Sequence, residues 1–321
     1  MTLRNSLFAV SGKASFLDAR RDMSGLFVCD KTTMMPIAGI LDRSQDNLVT
    51  GRGDSMSVTV HPFNAVLNRY GALLIQNDGD VKVPLSAAPS ANSRIDVVYV
   101  KQNETRSPMS DSSDIPSFGV AQGVVAATPV APGIPDGALA LAQVLLPAGV
   151  SNTAASGVVI TQAYIGAAMK GDMLRVQTSA QRDAMTTVPE GTLLHNVADN
   201  CDYVRTPSGK WAKTRDTISV KAPYTNDKWW LSREWDTVIV NGSMKYTSSN
   251  QENHTTANET MPVGWRPYGL NNTAISYGVV SATNANWCNF VQPSGKIVML
   301  GNPSYAYSGV TGGWQCREWR A

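Results

Sequence analysis

Short runs of alternating apolar and polar residues recur along the 321-residue chain, separated by Gly, Pro, Asn, Asp and Ser. That spacing predicts strands and turns, with few helices. In SMSVTVHPF, Met56, Val58 and Val60 are expected on one strand face and Ser57 and Thr59 on the other. The preceding GRGDS (51–55) reads as a turn in which Gly51, Gly53 and Asp54 tolerate positive φ. GALLIQNDGDVKVPL predicts a hairpin about the Asn-Asp-Gly-Asp turn at 77–80. SRIDVVYVKQN (93–103) is the strongest strand pattern, β-branched and apolar. A strand near 120–127 follows, then a proline-stiffened extended crossing at 129–137 and a strand at 138–146. TSAQRDAMTTV predicts a short helix capped by Thr178 or Ser179, with Pro189 beyond its end. Residues 190–213 predict two strands about an Asp-Asn turn, then a second turn at TPSGKW. Residues 1–60 otherwise read as irregular segments and strands, SGLFVCD among them. From 214 onward short strands alternate with Asn/Gly/Ser turns: TVIVNGSMKYTSS, AISYGVVSAT, GKIVMLGN and GGWQCREWR. The fold class expected is mainly β: an N-terminal β-sandwich-like domain, a short helix/hairpin neck and a C-terminal jelly-roll-like β-sandwich.

Composition divides the chain. All eight tryptophans lie between Trp211 and Trp319, and six of the ten tyrosines lie beyond 216, whereas the first two thirds are rich in Ala, Val, Ser and Gly. An anchoring part and a part that meets something through aromatic rings would account for that gradient. The expected domains are 1–150, a neck at 151–215 and a head at 216–321. The net charge is +2, so no broad field is expected to draw nucleic acid or a membrane surface. No run reaches the roughly 18 apolar residues of a membrane span. The N-terminal MTLRNSLFAVSGK lacks the apolar core of a signal peptide, so secretion by that route is not expected. Cys29, Cys201, Cys288 and Cys316 show no metal-ligand spacing, and His61, His195 and His254 are isolated. No metal or other cofactor is expected. Cys288 and Cys316 share a region that would permit a bridge, against the plainer reading of four thiols in a reducing cytosol.

The segment 93–148 resembles the N-terminal region of phage tail and baseplate receptor-binding proteins. The residues carrying the resemblance are Arg94, Ile95 and Asp96 leading one strand, Pro132 and Pro135 in the crossing, and Ala138, Leu139, Leu141, Ala142, Val144, Pro147, Ala148 and Gly149 in the next strand. TSAQRDAMTTVPEGTLLHNVADNCDYVRTPSGKWAK is similar to a helix-plus-hairpin linker of tail fibres, and MPVGWRPYG resembles a turn of their terminal heads. The resemblance implies a virion protein made in the host bacterial cytoplasm and sited at the tail tip or baseplate. It implies a homotrimer, with 1–150 attaching to other tail or baseplate proteins and 216–321 recognising a bacterial surface polysaccharide. Packing three copies about an axis would bury Ala/Val-rich surface such as 120–146. Arg94 beside Asp96 reads as a solvated or paired strand edge, or as a contact to a neighbouring strand or protomer.

Sugar binding needs flat rings for C–H faces, with amides and carboxylates for hydroxyls. The head offers NDKWWLSREW, TNANWCNF and NPSYAYSG. Its candidate contacts are Trp229, Trp230, Trp235, Asn284, Asn286, Trp287, Asn302, Tyr305 and Tyr307, and about half of the rings should be core or trimer interface. Trp229 and Trp230 must face opposite ways on a strand, and the sequence leaves open which faces out. Three other classes compete with sugar binding. A glycan-degrading enzyme would need paired carboxylates, such as Glu234 and Asp236 about 7 Å apart on one strand face. A structural baseplate, collar or head-decoration protein would touch no receptor. An integrin-type adhesion protein would present the GRGDS letters, which in some animal matrix proteins form a cell-adhesion loop. No catalytic residue is nominated.

Overall fold

The computed structural model describes residues 15–42, 47–223, 227–245, 252–268, 274–280, 285–301 and 307–316. The chain is mainly β and β-sandwich-like, as expected, with 45% strand and 6% helix. Among the described residues, no helix is long and apolar enough to cross a membrane. The chain divides into two compact units, Met1–Asn200 and Cys201–Ala321.

The first unit opens with α1 (Phe16–Ser24), a helix within a region expected to be irregular. Ser15 and Asp18 close a reciprocal capping box: the Ser15 hydroxyl accepts from the Asp18 N–H, and the Asp18 carboxylate from the Ser15 N–H. The following strands are β1 (Gly39–Ile40), β2 (Val49–Gly51), β3 (Ser57–Val60), β4 (Phe63–Asn68), β5 (Ala72–Asn77) and β6 (Val81–Pro84). Next come β7 (Ser93–Gln102), β8 (Pro116–Ala121), β9 (Leu139–Pro147) and β10 (Val159–Gln162). They form three antiparallel sheets, ordered β1-β4-β5, β2-β3-β6 and β10-β9-β7-β8.

Two local expectations are corrected. The 77–80 turn joins no hairpin: β5 pairs with β4 and β6 with β3, so it passes the chain between sheets. The hairpin instead closes one turn earlier, across Arg69, Tyr70 and Gly71, where Tyr70 (φ 59°) and Gly71 (φ 135°) supply left-handed backbone. All four residues of β3 are buried, because Ser57 and Thr59 are covered as well as the valines.

One core fills the space between the three sheets, with Ile40, Val58, Val60, Phe63, Val98, Leu141, Val144 and Leu146 at its heart. The apolar side of β9 is therefore buried within a single chain. Of the Ala/Val-rich surface at 120–146, only the leg carrying Val124, Val125 and Val130 stays exposed. Arg94 and Asp96 also differ from the edge reading. Both are buried, and Arg94 Nε lies 3.0 and 3.1 Å from the two Asp96 oxygens. Arg94 donates further to the carbonyls of Ala87 and Ser86 (2.6 Å each), while Asp96 accepts the Gly123 N–H. The pair thus fastens two loops onto β7.

Composition placed 151–200 in the neck, yet part of it is bound into this unit. β10 pairs with β9, and the Gln162 side chain exchanges two hydrogen bonds with the Val49 backbone. The unit ends with β11 (Met173–Val176), α2 (Ser179–Ala184) and β12 (Leu193–Asn196). β11 and β12 run parallel, and α2 crosses between them. Thr178 caps α2, with Gln181 reaching back to its N–H.

The second unit begins with a hairpin of β13 (Cys201–Arg205) and β14 (Trp211–Lys213) about the TPSGK turn. Its body is β15 (Arg215–Lys221), β16 (Lys228–Glu234), β17 (Thr237–Lys245), β18 (Glu252–Thr260), β19 (Ala274–Val280), β20 (Ala285–Val291), β21 (Lys296–Gly301) and β22 (Tyr307–Gln315). These pair antiparallel in the order β15-β16-β17-β22-β19-β20-β21-β18. The sheet rolls over itself: Trp229, Leu231, Val238 and Val240 from one half pack in one core with Ala257, Val291, Ile297 and Met299 from the other. Lys221 and Glu259, on the two edge strands, meet at 3.0 Å.

Candidate functional site

β16 alternates strictly between exposed and buried residues, which settles the Trp-Trp question. Trp229 is fully buried in the core, so it is no receptor contact; Trp230 is 56% exposed. The strand register then builds the outer face on which Trp230 stands. Its lateral neighbours are Ser219 on β15 and Asn241 on β17, with Thr311 of β22 beyond. Two residues along, Ser232 lies between Thr217 and Ile239, with Gly313 next. Two further along, Glu234 lies between Arg215 and Thr237, with Gln315 next. Strand spacing makes this face roughly 14 Å wide, with rows about 7 Å apart. It carries hydroxyls, amides and one opposite-charge pair, Arg215 Nε to Glu234 Oε1 at 3.4 Å, both well exposed. Gly313 adds no side chain, so the face stays open beside Ile239.

Trp235 and Asp236 form the two-residue turn between β16 and β17. Trp235 holds φ 54°, a left-handed backbone that a bulky residue adopts only when its surroundings impose it. Those surroundings are a set of hydrogen bonds. Trp235 N–H donates to Thr214 O (2.7 Å), Arg233 Nε donates to Trp235 O (2.6 Å), and Cys316 N–H donates to Asp236 O (2.5 Å). Arg233 is buried and also donates to the carbonyls of Gly264 and Cys316, so one guanidinium ties three loops together. The turn is thereby fixed while its indole is 46% exposed. The indole lines a groove of about 500 Å³ with Arg215, Thr217, Ser232, Glu234 and Ile239.

The MPVGWRPY segment reaches the same end of the sheet. Tyr268 N–H donates to Gln315 O, beside Thr237, and the ring of Tyr268 is exposed. Trp265 of the same segment is buried, its carbonyl accepting from Trp314 Nε1.

Comparison with models of known protein families and with curated proteins returns no match.

Of the nominated residues, Trp230 and Trp235 share this face and its adjoining turn. Asn286, Trp287 and Tyr307 do not gather there. Asn286 and Trp287 lie on β20, separated from β17 by β22 and β19. Tyr307 pairs with Lys245, at the end of β22 opposite Gln315. Asn284, Asn302 and Tyr305 fall outside the described residues. Glu234 and Asp236 do not share a strand face, because the chain turns between them at Trp235. The sequence reading missed Thr217, Ser219, Ser232, Asn241 and Tyr268. The alternation in RDTISVK, paired with that of KWWLSRE, was the signal available for the first three.

Two other candidates resolve differently. In GRGDS, Arg52 and Asp54 engage each other in a two-pronged pair (2.9 and 2.6 Å), and Ser55 also donates to Asp54. The Arg52 contact, with help from Ser55, holds the Asp54 carboxyl well below the usual range. An adhesion loop needs both charges available to a partner, and here they satisfy one another. None of Gly51, Gly53 and Asp54 has positive φ. Gly51 is required for close approach instead, since a Cβ there would sit 2.5 Å from Thr153 O. Cys288 and Cys316 are not bridged.

Proposed function

We propose that this chain is a structural component of a phage tail that binds a host cell-surface glycan to start adsorption. The observation that carries the reading is the pair of exposed indoles, Trp230 and Trp235, on one open face set with hydroxyl and amide side chains. Indole rings cover the C–H faces of pyranoses, and Ser, Thr and Asn exchange hydrogen bonds with their hydroxyls. A shallow, open face suits a polymer that runs past the protein at both ends. The resemblance of 93–148 to tail and baseplate proteins gives the setting, with residues 1–150 as the attachment to other virion proteins. A homotrimer is part of the proposal, and the exposed Val124, Val125 and Val130 are the apolar surface offered for it. Three heads on one particle would raise a weak single-site affinity through intramolecular rebinding.

The test is adsorption of the purified full chain to host cells and to arrayed bacterial polysaccharides. Wild type should bind, and Trp230→Ala and Trp235→Ala should each weaken binding about tenfold, the loss of one buried aromatic contact. Light scattering should return the mass of three copies. Binding that ignores both substitutions would overturn the site. A protein that binds no cell wall, on a phage that adsorbs through another component, would make it a baseplate, collar or head-decoration protein.

A further inference from the structure

The crossing from β8 to β9 carries Pro129, Pro132 and Pro135, each three residues from the next. Three residues make one turn of a polyproline II helix, so the rings recur along one side of it. Each ring fixes its own φ. Each also drives the residue before it, Thr128, Ala131 or Ile134, out of the helical region into extended backbone. In the run 128–135 only Val130 and Gly133 escape both restraints. The structure has the form these restraints dictate. The three X–Pro bonds are trans, Gly133 has no positive φ, and 129–135 belongs to no helix or strand.

This strap is pinned at both ends. Ala126 exchanges two main-chain hydrogen bonds with Ser93, where β7 starts, and Leu139 pairs with Val100 near the end of β7. Next to Leu139, the Ala138 N–H donates to Pro135 O (3.1 Å). Between the pins, no described residue hydrogen-bonds to the backbone of 129–134. Val130 is 77% exposed, Gly133, Pro135 and Asp136 are exposed, and a Cβ on Gly133 would meet nothing. The strap therefore offers open main-chain groups on a backbone that its own prolines keep stiff. Such a segment loses little conformational freedom when something binds it. Asp136 closes the strap and is the only charged residue between Asp114 and Lys170. It forms no ion pair or hydrogen bond with another described residue.

We propose that residues 128–136 are a docking ligand for a partner protein with a groove lined by aromatic rings and a lysine or arginine at the end that receives Asp136. Flat rings pack on proline rings and on the Val130 methyls, and donors between the rings reach the open carbonyls. The cation fixes the direction in which the strap lies, because the strap has a charge at one end only. The glycan face belongs to the other unit, so this inference stands apart from it and concerns what the first unit attaches to. Val124 and Val125 precede the strap and remain for the contact between copies.

Calorimetric titration of the full chain with isolated WW and SH3 domains, used as stand-ins for such a groove, tests this. The domains are taken in two sets, with either a basic or an acidic side chain flanking the groove. Domains of the basic set should bind saturably at one site per chain, and those of the acidic set about tenfold more weakly. Pro132→Ala should weaken binding about tenfold at an unchanged thermal midpoint, and Asp136→Lys should reverse the preference between the sets. If Pro132→Ala lowers the midpoint, Pro135→Ala, at an exposed position, should weaken binding as much. No saturable binding by either set, equal binding of the two sets, or affinity unchanged in the folded strap variants overturns the proposal. Strap variants that bind no domain but change the mass found by light scattering would give the strap to the contact between copies, and overturn it too.

Discussion

Trp229 and Trp230 are adjacent in sequence and opposite in environment, one at the centre of the head core and one on its outer face. Strand alternation dictated the opposition, but only the partner strands decide which side is covered. Asn289 shows the same limit from the polar side. It lies in a run rich in amides that suggested a ligand surface, yet it is completely buried in β20, and neither amide atom has a hydrogen-bond partner. An unsatisfied buried amide is costly, and leucine has a similar volume without that cost. Asn289→Leu should therefore stabilise the second unit by about 1–2 kcal/mol. The check is a urea midpoint that rises at constant slope; a fall would mean that the amide has a structural partner such as an internal water. The GRGDS letters were legible as a local turn. That Arg52 spends its guanidinium on Asp54 depends on side-chain rotamers, which five letters do not specify.

At the level of elements, β7, β9 and the capped α2 stood out in the sequence because local pattern and final environment agree there. α1 was missed although Ser15-x-x-Asp18 is a capping signature, since FLDARRDMS has no apolar stripe to flag it. β18 was missed for a related reason: ENHTTANET is a polar edge strand with two register shifts. The 77–80 turn misled because turn chemistry reports a reversal but not which strands pair across it.

Two charged clusters on or beside β7 can be tested. On β7, Asp96→Ala leaves Arg94 buried and unpaired, and should cost about 3–5 kcal/mol in chemical denaturation. Adding Arg94→Ala should recover part of that loss, so the double variant is less destabilised than the sum of the singles. Near the end of β7, Arg69 (2.5 Å) and Lys101 (2.6 Å) converge on Asp111. The Arg69 contact, reinforced by Lys101, holds the Asp111 carboxyl well below its ordinary value. A depressed carboxylate stabilises the fold above its unfolded pKa near 3.9, and that contribution disappears as pH falls towards the folded value. The stability gap between wild type and Asp111→Asn should thus be constant from pH 5 to 8 and shrink below about pH 4. A gap undiminished at pH 2 would remove the ionised pair as its cause.

For the whole molecule, the aromatic gradient that marked out the head has a second use. Every tryptophan lies between 211 and 319, inside the second unit, while each unit has its own apolar core. Tryptophan fluorescence therefore reports unfolding of the second unit, and far-ultraviolet circular dichroism reports strands in both. Asp96 belongs to the first unit. In Asp96→Ala, the dichroism transition should broaden and begin at lower denaturant, while the fluorescence midpoint stays in place. Should both midpoints move together, the two cores would be one cooperative system, and two-state bookkeeping would apply to the chain as a whole. The same pair of signals places the effect of Asn289→Leu, which should move fluorescence and leave the early dichroism change untouched.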